Sequence, residues 1–113
     1  MSLDIILQND VCQCCQRDGE VHWQNITHNL VPMAREAEIY EVLWHPERNG
    51  ITYARQLITP LAGAIRLMEA DPALFRAYDA PNGWGTLGAF LPWLKELLDA
   101  CKRMPNARVE VST

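Results

Sequence analysis

The fold class is decided by residues 51–69, ITYARQLITPLAGAIRLME, in which apolar residues recur at intervals of three and four. Side chains with that spacing lie on one face of an α-helix. The stripe consists of Ile51, Ala54, Ile58, Leu61, Ile65 and Met68. Asn49-Gly50 predicts a turn before this helix, and Thr52 is its predicted N-cap. Pro60 removes a hydrogen bond in mid-stripe, so we expect a kink or two short helices there.

A second helix is predicted from Asn29 to Trp44. Its apolar stripe consists of Leu30, Met33, Ala37, Tyr40 and Trp44. Pro32 falls in the first turn, where its missing N–H has no helical partner, so it supports the start of the helix. Either Thr27 or Asn29 caps that start. His45-Pro46 ends the helix, and a structural role at this end is expected of His45.

The last helix is predicted to begin at Thr86, and Pro92 shifts that expected start towards Leu91. Its stripe consists of Leu87, Phe90, Leu94, Leu98 and Cys101. Cys101 is expected to behave as a small buried hydrophobe. A short helix precedes this one, with Asp71 as its cap and Pro72 at its first position. The large aromatic side chains are assigned to the core, with a pocket lining as the alternative: Trp44, Phe75, Trp84, Phe90 and Trp93.

Short strands are predicted near both ends of the chain. Leu3–Leu7 and Val21–Ile26 are rich in strand-forming residues, and Asp18-Gly19 between them is a turn signal, so they predict a hairpin. Residues 108–112 alternate and predict a third strand beside that hairpin. The sequence thus predicts an α+β, mainly helical fold in a single domain spanning residues 1–113. About three main helices pack on a small antiparallel sheet in this fold.

Composition and charge favour a folded protein that does not bind nucleic acid. Of 113 residues, 49% are hydrophobic and 21% are charged, as in ordinary globular domains. The chain has 10 basic and 14 acidic residues, a net charge of −4, without a basic cluster to neutralise phosphates. No apolar run approaches the roughly 20 residues of a membrane helix, and no basic segment precedes residues 3–7 as in a secretory signal. We therefore expect a small soluble cytoplasmic protein without a membrane partner.

Two cysteines at residues 12 and 15 form a Cys-x-x-Cys pair that suggests a metal or redox site. Cys12 and Cys15 are spaced to bind one zinc ion, and His22 approaches them across the predicted hairpin. A closed zinc site needs four ligands, and only Cys14 and His28 are otherwise near. A redox pair and free thiols on a turn are the two other interpretations, because a reducing compartment keeps thiols unpaired.

Signatures of catalysis are missing from the sequence. It contains no phosphate-binding glycine loop, dinucleotide fingerprint, His-Glu-x-x-His helix or Gly-x-Ser-x-Gly elbow. We expect no catalytic residues and, zinc apart, no cofactor. A protein partner is favoured over a substrate, and the large apolar residues of so small a chain also predict a homodimer.

Two polar strings carry a resemblance to a known family. They are Asn25-Ile-Thr-His-Asn29 and Asn82-Gly-Trp-Gly85, with Glu41-Val-Leu-Trp44 between them and a final helix ending near Pro105. In these features the chain resembles, over nearly its whole length, a family of small uncharacterised phage, prophage and bacterial proteins. It departs from that pattern at Pro60, Pro92 and Cys14. The resemblance implies a bacterial or phage-infected host cell and assigns no chemistry.

Both strings lie at helix entrances, and two interpretations stay open. In the first, Thr27 and Asn29 cap a helix while Gly83 and Gly85 supply positive φ angles. In the second, the strings form one surface that recognises a partner, because polar loop residues on a rigid scaffold are favoured binding sites. The binding residues are then Asn25, Thr27, His28, Asn29, Asn82 and Trp84. We expect a phage-type accessory or adaptor protein that binds another protein, and the alternative is a zinc module or small enzyme using the Cys12–Cys15 hairpin.

Overall fold

The computed structural model describes residues 2–8, 21–81, 83 and 85–113. This part of the chain contains three strands and five α-helices, joined by turns that include two short 3₁₀ helices. The strands are β1 (Ser2–Gln8), β2 (Val21–Thr27) and β3 (Arg108–Ser112). The α-helices are α1 (Val31–Glu36), α2 (Tyr40–Trp44), α3 (Arg55–Ala70), α4 (Pro72–Arg76) and α5 (Leu87–Arg103), and the 3₁₀ helices are His28–Leu30 and Pro46–Asn49. The predicted α+β, mainly helical fold is confirmed.

The sheet is antiparallel and has β1 at its centre, in the order β2-β1-β3. Ile5 of β1 pairs with Gln24 on one side and with Val111 on the other. Because side chains alternate along a strand, Ile5 shares one face of the sheet with Leu3 and Leu7, and all three are buried. This face packs on the helices, and the predicted pairing of the C-terminal strand with the N-terminal strands is confirmed.

Helices α3 and α5 pack against each other, and α5 also packs on β2. Their buried stripes include Leu57, Leu61 and Met68 of α3 and Phe90, Leu94 and Leu97 of α5. The core assignment of the described aromatic residues is confirmed, since Trp44, Phe75, Phe90 and Trp93 are all buried. Cys101 is also fully buried, and burial raises the pKa of its thiol to about 12. No helix in the described part of the chain is long and apolar enough to cross a bilayer.

Neither proline divides or shortens its helix, so the expected division at Pro60 and the expected shift of the start at Pro92 are wrong, while the kink at Pro60 stays a prediction. Helix α3 runs without a break through Pro60 instead of dividing into two short helices, and α5 begins at Leu87 instead of near Leu91, with Pro92 inside it. Each proline lacks one N–H donor, and the buried stripes on either side keep these helices of 16 and 17 residues continuous.

Side-chain caps fix the starts of two helices. The predicted caps at Asp71 and Thr86 are confirmed, since their side chains accept hydrogen bonds from the N–H groups of Leu74 and Ala89. Thr52 is not the N-cap of α3, because the helix begins two residues later, after Ala54. The Gln56 amide oxygen instead accepts from the Thr52 and Tyr53 N–H groups. This side chain joins residues 52 and 53 to the first turn of α3, which has no side-chain cap.

The predicted helix from Asn29 to Trp44 is interrupted between α1 and α2, so its expected continuity is wrong. The Ile39 N–H donates to the Ala34 carbonyl at 2.9 Å and the Glu38 N–H donates to the Arg35 carbonyl at 3.1 Å. These two bonds form a Schellman motif, which ends a helix at a residue in the left-handed region. That residue is Glu38, with φ 60°. The apolar stripe continues across the break because Ile39 is buried beside α1.

Replacing Glu38 with Gly is expected to stabilise the fold. A residue with a Cβ costs about 1–2 kcal/mol in the left-handed region, partly offset by the greater freedom of glycine in the unfolded chain. We expect Glu38→Gly to be about 0.5–1 kcal/mol more stable than Glu38→Ala, since both lack the charge and only glycine relieves the backbone. Urea denaturation of the two variants measures this difference, and equal stability would contradict the assigned strain.

Candidate functional site

The face of the sheet opposite the helices is uncovered by any described element. We call it the outer sheet face, and define it by the side chains of Ser2, Asp4, Ile6, Gln8, Trp23, Asn25, Arg108, Glu110 and Ser112. None of these side chains is buried. A three-stranded antiparallel sheet with one face on a core commonly leaves the other in water. The composition of this particular face is less common, because it carries a tryptophan.

Trp23 lies in a row of three side chains across the outer sheet face. It pairs across strands with Ile6 of β1, and Ile6 pairs with Glu110 of β3. The Trp23 side chain is 58% exposed, the highest value among the exposed large hydrophobic residues described. The row therefore presents an aromatic ring, an aliphatic side chain and a carboxylate side by side.

Asn25 stands next to Trp23 on the same face and has a fixed orientation. Its side-chain amide donates to Ser2 Oγ at 2.9 Å and to Asp4 Oδ1 at 2.7 Å. The Asp4 carboxylate stays accessible beside it. Asn25 and Thr27 are the predicted binding residues that lie on β2, and the amide of Asn25 links β2 to β1 on the outer sheet face.

A buried polar network fixes β2 to α5. Gln24, 5% exposed, donates to the Trp93 carbonyl at 3.0 Å and accepts from His22 Nε2 at 2.7 Å. The Trp93 indole N–H donates to the Asn25 carbonyl at 3.0 Å. Buried polar groups joined in this way hold one arrangement, since each would lose its partner in any other. Trp23 and Asn25 are thus presented from a rigid strand.

Both edges of the sheet are partly covered, which disfavours strand addition as a mode of binding. At β2 the Trp93 indole N–H donates a hydrogen bond to the Asn25 carbonyl. At β3 the Val109 N–H donates to the Thr52 carbonyl at 2.9 Å, and Tyr53 forms a bridge with Arg108. Side chains and loops that occupy edge groups block pairing with another strand.

His28 faces the core instead of the outer sheet face. Its ring lies against that of Trp44, with ring centroids 6.2 Å apart. His28 Nε2 and Trp44 Nε1 are buried, and neither has a hydrogen-bond partner in the described part of the protein. Thr27 acts as the N-cap of the 3₁₀ helix, since its Oγ1 accepts from the Asn29 N–H at 3.2 Å. The capping interpretation of this string is therefore confirmed at Thr27.

The two polar strings meet at Gly85. A Cβ placed on Gly85 would lie 3.0 Å from Asn29 Cβ and 3.4 Å from Leu30 Cγ. Asn29 also lines a shallow pocket with Tyr78, Asp79, Ala80 and Pro81. Asn82 and Trp84, the other predicted binding residues of the second string, lie outside the described residues.

The zinc hypothesis stays a prediction. Cys12 and Cys15 lie outside the described residues, and His22 is the one predicted ligand that the structure describes. His22 Nε2 is engaged with Gln24, so a metal would bind through Nδ1 or displace that hydrogen bond. Within residues 2–8, 21–81, 83 and 85–113, no group of three metal-ligating side chains comes together.

Sequence reasoning missed Trp23 as a surface residue, although a signal was present. Val21, Trp23 and Ile26 are the apolar residues of this strand, and Ile26 is out of phase with the other two in a period of two. The strand follows the phase of Ile26, which buries Gln24 and leaves Trp23 outside. Hydrophobicity alone would have placed Trp23 inside and Gln24 outside, so the sequence pattern did not predict the observed arrangement.

No family model, curated protein or solved structure matches this chain.

Proposed function

We propose that this protein is a phage- or prophage-type accessory or adaptor protein that binds another protein through the outer sheet face. The observation that carries the proposal is the 58% exposure of Trp23 on a face that no described element covers. Tryptophan is the residue most enriched at energetic hot spots of protein interfaces, because its burial removes a large apolar surface from water.

The surroundings of Trp23 indicate the chemistry of the partner. Ile6 extends the apolar surface towards β3, where Glu110 places a carboxylate across from it, and Asp4 places a second carboxylate two residues along β1. An apolar centre with a charged rim is typical of protein interfaces. The partner surface is expected to offer an apolar pocket for the indole ring, with lysine or arginine side chains opposite the two carboxylates.

A nucleic-acid partner fits this surface less well. Bases stack on exposed aromatic side chains, but such sites combine the aromatic ring with a positively charged groove that follows the phosphates. The described charged side chains of the outer sheet face are Asp4, Glu110 and Arg108, so carboxylates outnumber the guanidinium there, and the whole chain carries a net charge of −4. Phosphate repulsion therefore favours a protein as the partner.

The test compares two variants that each shorten one exposed apolar side chain. The wild-type protein captures its partner from a lysate of phage-infected or lysogenic bacteria, and the affinity is then measured with the purified partner. Trp23→Ala is expected to weaken binding about thirtyfold, which corresponds to about 2 kcal/mol for a hot-spot residue. Leu74→Ala, on α4 and 42% exposed, is the control and is expected to change the affinity less than about twofold.

The proposal also predicts the direction of a charge effect. Glu110→Lys is expected to slow association and weaken its dependence on salt concentration, because the carboxylate attracts a basic partner. Equal affinities for the wild type and Trp23→Ala, or equal losses in Trp23→Ala and Leu74→Ala, would exclude the outer sheet face as the binding surface.

A further inference from the structure

A groove of about 500 Å³ runs between α3 and the turn that joins α1 to α2. It is lined by Ala37, Glu38, Pro60, Gly63, Ala64, Arg66, Leu67 and Ala70. Leu67 is 44% exposed at this groove, although it lies on a helix with a well-buried opposite side. The groove therefore combines the projecting side chain of Leu67 with two small residues, Gly63 and Ala64, one helical turn earlier.

Gly63 is unexplained by packing within the chain. It stands in the interior of α3, where glycine weakens a helix relative to alanine. A Cβ added to Gly63 would meet no described atom within 4 Å. Close approach of another backbone is a common reason for glycine in a regular element. The surroundings of Gly63 leave room for such an approach from outside the chain.

We infer that the groove is the interface of a homodimer, in which the α3 helix of a second copy lies antiparallel in it. With a two-fold axis passing at the height of Ile65, Leu67 of each copy lies opposite Gly63 of the other. Ala70 then lies opposite Pro60. All four positions belong to the groove lining, so the same surface supplies both the projecting side chain and the space that receives it. This self-complementarity is what a two-fold interface requires.

The charges at the groove fit the same arrangement. Glu38 lies on the turn between α1 and α2, Arg66 lies on α3, and both side chains are exposed. The described part of the protein shows no ion pair or hydrogen bond for either side chain. Because Glu38 and Arg66 line the same groove, the second copy brings its own Glu38 and Arg66 to it, and in the inferred dimer Arg66 of each copy pairs with Glu38 of the other. The Schellman motif holds the backbone of Glu38 in one conformation and thereby fixes one member of each pair.

Sedimentation equilibrium of the full chain over a wide concentration range tests the dimer. The wild type is expected to dimerise, and Glu38→Arg and Arg66→Glu are each expected to raise the dimer dissociation constant at least about tenfold, because each places like charges in contact. The double variant, with both charges exchanged, is expected to recover the wild-type dissociation constant within about threefold. Recovery in the double variant distinguishes a direct contact from a general loss of folding.

Two further variants serve as a steric test and a control. Gly63→Leu fills the space that receives Leu67, and it is expected to abolish the dimer while circular dichroism shows the fold retained. Glu47→Arg makes the same charge change as Glu38→Arg on the exposed 3₁₀ helix 46–49, and it is expected to leave the dimer unchanged. A wild type that stays monomeric at the highest concentration would overturn the inference. So would a dimer that none of the three groove substitutions weakens, or one that the exchanged double variant fails to restore.

Discussion

Trp93→Ala is expected to lower the free energy of unfolding by about 4 kcal/mol, the upper part of the range for a buried aromatic side chain replaced by alanine. Trp93 is 8% exposed, and its ring packs beside that of Phe90 with centroids 6.1 Å apart. Its indole N–H also donates to the Asn25 carbonyl. Alanine removes both contributions and leaves a cavity between α5 and β2. Urea denaturation followed by fluorescence and circular dichroism measures the loss.

Two other substitutions separate the causes of this loss. Trp93→Phe keeps most of the packing and removes the hydrogen bond to Asn25, so its expected cost is about 1 kcal/mol. Trp23→Ala makes the same change as Trp93→Ala on the outer sheet face, where the side chain is 58% exposed, and its expected cost is below about 1 kcal/mol. Similar losses in Trp93→Ala and Trp23→Ala would contradict the assignment of one tryptophan to the core and the other to the surface.

Gly85→Ala is expected to lower the free energy of unfolding by about 3 kcal/mol, from strain in the backbone and from overpacking together. Gly85 has φ 115°, which side chains with a Cβ rarely adopt. The new Cβ would also lie 3.0 Å from Asn29 Cβ, so the two polar strings would have to separate. The loss of stability therefore arises where Gly85 of one string approaches Asn29 of the other.

Gly83→Ala is the matched control for Gly85→Ala. Gly83 has φ 76° and no described atom within 4 Å of the added Cβ, so only the backbone term of about 1 kcal/mol applies. Thermal denaturation should therefore rank Gly83→Ala between the wild type and Gly85→Ala. Equal losses in the two variants would mean that the close approach of Gly85 to Asn29 adds nothing to the cost of the new Cβ.

The comparison of these glycine variants also bears on the two interpretations of the polar strings. If Gly85→Ala destabilises the fold without changing the affinity for the partner, the strings serve to build the fold. His28 is consistent with that role, since its ring packs on Trp44 and its Nε2 is buried. Within the first string, Asn25 lies on the outer sheet face beside Trp23, the residue on which the proposed function depends.

Much of the fold follows from local rules that the sequence states directly. Asp71 and Thr86 cap helices because their side-chain oxygens reach N–H groups three residues ahead, and no distant residue is needed for that. The stripes of α3 and α5 and the alternation of β1 likewise identify their elements, since helix and strand periods are set by the backbone. The class of fold and the existence of the third strand were therefore predictable.

Distant contacts decided the features that the local rules got wrong or did not address. Pro60 and Pro92 remain inside helices because packing of α3 on α5 outweighs one lost hydrogen bond in each. The break at Glu38 is an exception, because it is local: the Ile39 N–H donates to the Ala34 carbonyl five residues earlier, a bond that the helical period alone does not reveal. Gln24 rather than Trp23 faces the core because α5 supplies the Trp93 carbonyl as a partner for the buried amide.

The sequence by itself determined the class of fold, the caps at Asp71 and Thr86 and the apolar stripes of α3 and α5, since each depends on residues within a few positions of one another. Which residues of those elements stay on the surface was decided by the tertiary structure. The exposure of Trp23 follows from the side of the sheet that α5 covers, and the placement of Glu38 and Arg66 along one groove follows from the approach of the α1–α2 turn to α3. Both juxtapositions join residues far apart in the chain, and only packing brings such residues together.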